Sequence, residues 1–222
     1  MIMKRRAFIR TAGAAAVVTS AGCISASDNG SENVALPPQE DQLGESEDIA
    51  YPAYGQSFPE FTLPNPLTDE TVESTVSDKV TVATAIYATC PSECLVIGNQ
   101  LAGVQQTVNK DGLEDSVRFL ATTFDPERDT AEVLRDYAGQ MGVDLEAGNW
   151  YFLRPEDKEE AKSVVTEKLG IAFQRQGGEF IHPSVTFLVN PDGYVERAYQ
   201  GERPEIDRLV GDIETVTGEY SV

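Results

Sequence analysis

The sequence predicts an α/β fold, a sheet with parallel strands covered by helices on both faces. The stretch "KVTVATAIYA", residues 79–88, is nearly continuous in apolar and β-branched residues, the composition of a strand buried on both sides. "SVRFLATTF", residues 116–124, has the same character, and the chain between them carries Leu95, Val96, Leu101, Val104 and Val108 at helical spacing. Strands that alternate with helices in this way are joined by crossovers and run parallel.

The remaining elements follow in order. "FPEFTLPNPLTDETV", residues 58–72, mixes alternating apolar residues with prolines and reads as short edge strands. Residues 130–141 read as a helix opening at Thr130, "NWYFLR" as a short strand, and residues 156–169 as a charged amphipathic helix. "SVTFLV" and "YVERAYQ" flank "NPDG", whose Asp192-Gly193 pair marks a hairpin turn. Residues 204–217 close the chain as a helix, with Pro204 suited to its first turn.

Ahead of this domain, expected over residues 51–222, the chain has two other parts. "MIMKRRAFIRTAGAAAVVTSAGC" has a basic start with Arg5-Arg6 and a small-residue apolar run too short to span a bilayer. It reads as an export signal over residues 1–22, and the paired arginines resemble a twin-arginine signal. "SAGC" resembles a lipobox, which makes Cys23 the expected lipidated N-terminus, although Ser20 stands where leucine is usual. Residues 24–50 are rich in Ser, Asp, Glu and Asn and poor in large apolar groups. With Cys23 they are expected to form a lipidated, flexible acidic tether over 23–50. The predicted location is the extracytoplasmic face of the cell membrane.

Charge excludes one class of partner. The 222 residues include 37 acidic and 17 basic side chains, a net charge of −20. Such a surface lacks the basic footprint that nucleic acid requires. The acids are spread along the chain, as suits a surface solvated in concentrated salt, and a halophilic source is inferred.

Of three cysteines, Cys23 belongs to the anchor, leaving Cys90 and Cys94 of "TCPSEC" in the folded part. They sit where a strand passes into a helix, whose N-terminal amides and dipole favour thiolate. Four residues apart, they lie on one face of the first turn and suit a redox couple, half of a metal site, or a structural pair. The chain's one histidine, His182, directly precedes the strand "SVTFLV". If that strand runs antiparallel to the strand before Cys90, all three residues reach one edge of the sheet.

From about residue 58 to 217 the sequence resembles the SCO/SenC family of copper-binding, thioredoxin-fold assembly factors, here as a haloarchaeal-type lipoprotein. "FPEFTL", "KVTVATAIYATCPSEC" with its Cys-x-x-x-Cys motif, "FDPERDT" and "HPSVTFLVNPDGYV" carry the resemblance. It implies a thioredoxin-like mixed sheet flanked by helices on both faces, and copper, as Cu(I) or Cu(II), ligated by Cys90, Cys94 and His182. Two thiolates and an imidazole suit Cu(I); zinc accepts the same donors, so copper rests on the resemblance. Leu95 and Ile181 depart from it, standing where the family commonly has proline and aspartate. The implied function is a copper metallochaperone, acting as a monomer on a copper-accepting subunit of a haem–copper oxidase. The alternative is a thiol–disulfide reductase in which Cys90 attacks and Cys94 resolves. Pro183 stands at the strand entrance where thioredoxin-like reductases place a cis-proline; most X–Pro bonds are trans, and the sequence leaves the isomer open, with this location weighing toward cis.

Overall fold

A computed structural model describes residues 33–90, 93–177, 179–201 and 204–221. Its centre is a five-stranded mixed sheet built from β3 (Val80–Ile86), β4 (Val117–Thr123), β5 (Trp150–Leu153), β8 (Val185–Val189) and β9 (Val195–Gln200), in the order β5-β4-β3-β8-β9. β3, β4 and β5 are parallel; β8 runs antiparallel to β3, and β9 to β8. Every residue of β3, β4 and β8 is buried, as their largely apolar and β-branched composition suits, and Arg118 among them is held by Thr81 and the Glu73 carbonyl.

The crossovers β3–α1–β4 and β4–α2–β5, with α1 at Glu93–Lys110 and α2 at Ala131–Met141, step the same way across the sheet. Right-handed connections then place both helices on one face. α4 (Ile206–Tyr220) packs beside α1 on that face. Phe119, in register with Trp150 and stacked on it, lies beneath them, and Phe152 of the same strand meets Tyr137 of α2. Side-chain alternation puts Thr81, Arg118, Ala83 and Phe187 on the opposite face. There Tyr51 and Phe58 pack edge-on against Phe187, and Arg118 reaches the carbonyl of Glu73.

Several expectations are corrected. The proline-rich strands β1 (Thr62–Asn65) and β2 (Glu70–Glu73) pair only with each other, since Pro64 has no N–H to extend a ladder. The helix expected over 156–169 is α3 (Lys158–Ala161) running into a π-helical stretch, Lys162–Lys168, through the β-branched run Val164-Val165-Thr166. α4 starts at Ile206, so Pro204 precedes the helix. An unforeseen hairpin, β6 (Gln174–Gln176) and β7 (Glu179–Ile181), delivers the chain to His182. Its Gly177-Gly178 pair was the available turn signal.

The largest correction concerns the tether expected over residues 23–50. Its second half is docked on the domain. Leu36 is buried, and the Ala35 and Leu36 amides donate to the two carboxylate oxygens of Glu196 at 2.8 and 2.9 Å. Arg197 donates to the Pro37 carbonyl at 2.7 Å, and Arg208 pairs bidentately with Asp41. Arg5, Arg6 and Cys23 lie outside the described residues. No helix among the described residues is long and apolar enough to cross a membrane.

Candidate metal centre

The strand β3 ends at Ile86, and the chain turns at once, with Cys90 N–H donating to the Tyr87 carbonyl at 3.2 Å. Cys94 is the second residue of α1. This junction buries both cysteines, at 3% and 0% exposure, and no disulfide joins them. Their sulfurs accept main-chain hydrogen bonds: Cys94 N–H donates to Cys90 Sγ at 3.3 Å, and Tyr87 N–H to Cys94 Sγ at 3.5 Å. Both donors favour the thiolate.

His182 reaches the same edge because β8 is antiparallel to β3, which puts its entrance beside the exit of β3. Its Nε2 stands 3.8 Å from Cys94 Sγ. Nδ1 lies 3.1 Å from the Pro183 carbonyl oxygen. With the ring proton on that carbonyl, Nε2 turns its lone pair toward Cys94, the tautomer a metal ligand needs. Two aromatic rings wall the imidazole: Phe124 at 4.9 Å and Tyr87 at 6.0 Å between centroids. The His182–Pro183 bond is trans, so the cis geometry of a reductase is not present.

The loop is braced from behind by "FDPERDT". Asp129, fully buried, accepts from Ala88 N–H at 3.0 Å and from the Thr123 hydroxyl with the same oxygen. Its other oxygen is buried with no hydrogen-bond partner among the described residues. Burial pushes its carboxyl up to about 6. Arg128 pairs with Asp125. Its guanidinium lies 5.8 and 5.7 Å from the Tyr87 and Phe180 ring centroids. Thr130 caps α2. Tyr137 of α2 donates to the Cys94 carbonyl, and Gly98 of α1 permits that approach, since a Cβ there would fall 2.2 Å from the Tyr137 hydroxyl. Burial raises the Tyr137 hydroxyl well above the ordinary phenol value.

Sequence reasoning pointed to the two cysteines and the histidine, which the fold brings to one edge of the sheet; it did not single out Tyr87, Phe180 or Tyr137 beside them. Tyr87 is visible only as the last aromatic before "ATC", and nothing local marks Tyr137. No group of three His, Cys, Asp or Glu side chains among the described residues is placed to hold a metal as it stands. The donor spacing nonetheless fits one. A metal with bonds of about 2.3 Å to sulfur and about 2.0 Å to nitrogen at a trigonal angle holds those atoms about 3.7 Å apart. The Cys94–His182 span is 3.8 Å.

The family model described as SCO1/SenC matches residues 53–218. The chain belongs to the SCO1/SenC family. A curated relative, the SCO1 protein homolog of Bacillus subtilis (strain 168), is 25% identical over 142 residues, covering 63% of this chain and 72% of the relative. Among solved structures, BsSco is described as having a disulfide switch and as a member of the Sco family of cytochrome c oxidase assembly proteins. It aligns with a TM-score of 0.63 at 23% identity, over 75% of this chain and 95% of its own. ScoI of Arabidopsis thaliana, solved with copper bound, aligns with a TM-score of 0.59 at 21% identity, over 72% of this chain and 98% of its own. The SCO1/SenC chain described here shares the thioredoxin-like fold of these neighbours, a mixed sheet with helices packed on it.

Proposed function

We propose that this SCO1/SenC protein holds copper through Cys90, Cys94 and His182 and passes it to a copper-accepting subunit of a haem–copper oxidase. The observation that carries the reading is the approach of Cys94 Sγ and His182 Nε2 to 3.8 Å, with Cys90 Sγ on the Cys94 amide. Two soft sulfurs and one imidazole suit Cu(I), and three donors leave room for an incoming ligand, as transfer by ligand exchange requires. The copper-bound Arabidopsis ScoI and the oxidase-assembly role given for BsSco support cargo and recipient. We further propose attachment at the extracytoplasmic membrane surface through lipidated Cys23, on the strength of "SAGC" and Arg5-Arg6.

Thiol–disulfide exchange is the second reading, favoured by the Cys90–Cys94 spacing and by the disulfide switch given for BsSco. Against it stand the burial of both sulfurs and the trans bond at Pro183. Copper titration separates the two. The wild type should bind about one copper per chain; Cys90→Ser and Cys94→Ser should abolish tight binding, and His182→Ala should weaken it at least tenfold. Unchanged affinity in His182→Ala would remove the histidine from the site and leave exchange as the better account.

A further inference from the structure

On the outer strand β9, one side chain stands in for a neighbouring strand. β9 closes one end of the five-stranded sheet. An outer strand presents main-chain N–H and C=O groups that any extended chain can take. At Ala198 both are met by Gln39, from the docked strap of residues 33–48: Oε1 accepts from the Ala198 N–H at 3.2 Å, and Nε2 donates to the Ala198 carbonyl at 3.3 Å. A carboxamide offers the donor and acceptor that a peptide group would. Main-chain groups along a strand point alternately to either side, so Arg197 and Tyr199 turn theirs to β8 while Ala198 faces outward. At the start of the strand, Val195 donates its N–H to the Gln56 carbonyl and its carbonyl accepts from Gly55 N–H, each at 2.9 Å. Arg197 on the Pro37 carbonyl and Arg208 on Asp41 hold the strap on either side of Gln39.

We infer that the strap is an edge guard: Gln39 occupies the main-chain groups through which a second copy of this chain would join β9 to β9, and so keeps the protein monomeric. Register and charge fix the excluded partner. Two β9 strands meeting antiparallel about Ala198 exchange both of its bonds. Glu196 then falls opposite Gln200, and Arg197 opposite Tyr199, so no like charges oppose each other. Because each copy offers the same patch, the contact closes at a pair. Such a pair would misdirect the candidate site. β9 runs parallel to β3, since both are antiparallel to β8, and Gln200 pairs with Val185, just after His182. Joining two β9 strands antiparallel turns the two His182 edges to opposite ends of the joined sheet. On the copper reading above, a single recipient would then meet only one of them; the guard itself does not depend on that reading.

The experiment is sedimentation equilibrium on the full, metal-free chain in molar KCl, where screening stops the net charge of −20 from holding copies apart. Gln39→Ala with Asp41→Ala removes the strap's side-chain fastenings over the second half of β9 and leaves the core and the Glu196 clamp intact. The wild type should be a monomer, and the double variant should self-associate at least about tenfold more tightly. Adding Ala198→Pro should restore the monomer. Proline has no N–H to exchange, and at an outward-facing position of an outer strand it leaves the β8 ladder whole. A dimeric wild type, equal association in wild type and double variant, or association that survives Ala198→Pro overturns the proposal. Hydrogen exchange decides it even if the proline variant does not fold. In the double variant the Ala198 amide should exchange at least about tenfold faster than in wild type when dilute, and slow again as protein concentration rises. A rate that does not depend on concentration overturns the pairing.

Discussion

Two buried carboxylates, one at each end of the molecule, are handled in opposite ways. Glu196, at 0% exposure, is fully engaged: Oε1 accepts from Ala35 N–H at 2.8 Å and Asn190 Nδ2 at 2.7 Å, and Oε2 accepts from Leu36 N–H at 2.9 Å. Asp129, equally buried, receives both of its donors on one oxygen and leaves the other without a partner among the described residues. A buried charge stabilises a fold only when its lone pairs are met; otherwise the desolvation cost remains. The strap held by Glu196 is therefore fastened by short charge-assisted bonds, while the cysteine loop is braced by an acid that costs stability. The contacts on sulfur at the candidate site run from 3.3 to 3.8 Å, an ordinary range for so large an acceptor.

Substitutions at the two ends should expose that contrast. Glu196→Ala should have the largest effect, a loss of about 3 kcal/mol in denaturant unfolding, because it leaves two strap amides without their acceptor and takes one of two acceptors from the Asn190 side chain. Limited proteolysis should then cut within residues 33–48. Undiminished stability would mean that the strap contributes nothing to the fold.

Asp129→Asn should act in the other direction. The folded carboxyl titrates near 6 against about 3.9 in the unfolded chain, so the folded state binds the proton more tightly between those values. Its contribution to stability is therefore greatest below about pH 4 and is lost as pH rises through about 6. Asparagine is neutral throughout and can still accept from Ala88 N–H and the Thr123 hydroxyl. The variant should be more stable than wild type by about 1–2 kcal/mol at pH 8, a difference that shrinks to nothing near pH 4. A pH-independent difference between the two would show that the charge on Asp129 is not what the site end sustains.

The smallest effect on stability belongs to His182→Ala. The ring is half-buried and, among the described residues, is bonded to its neighbouring carbonyl and the Cys94 sulfur, so unfolding should move by less than about 1 kcal/mol while copper affinity falls. If the proposed copper transfer holds, cells carrying it should assemble an oxidase short of copper, while any disulfide exchange that the wild type shows should persist in the purified variant. A loss of stability as large as that of Glu196→Ala would make the histidine a structural residue.

The core of the fold was legible because it depends on local pattern. Residues 79–88 and 116–124 are too apolar and β-branched to be anything but buried strands, and a helix had to join them in parallel. Cys90, Cys94 and His182 were legible because their residue types are rare in this chain and stand at element junctions. The strap was not, because its docking depends on one apolar side chain, Leu36, and on main-chain amides whose acceptor lies 160 residues further on. Low hydrophobicity predicts a tether only when no distant carboxylate pairs with the backbone. Tyr87 was hidden for a related reason: its hydroxyl acquires meaning only when the β6–β7 hairpin brings the Phe180 amide to it.

The docked strap also sets a leash. With Cys23 as the lipid-bearing residue, as proposed, roughly ten residues separate the bilayer from Asn33, whose carbonyl is already held by Asn190, and such a span reaches at most about 35 Å. A chain free to residue 50 would reach more than twice as far. On that proposal the shorter leash keeps the whole domain near the membrane, so that a membrane-bound recipient would meet it at high effective concentration and a freely diffusing one would gain nothing.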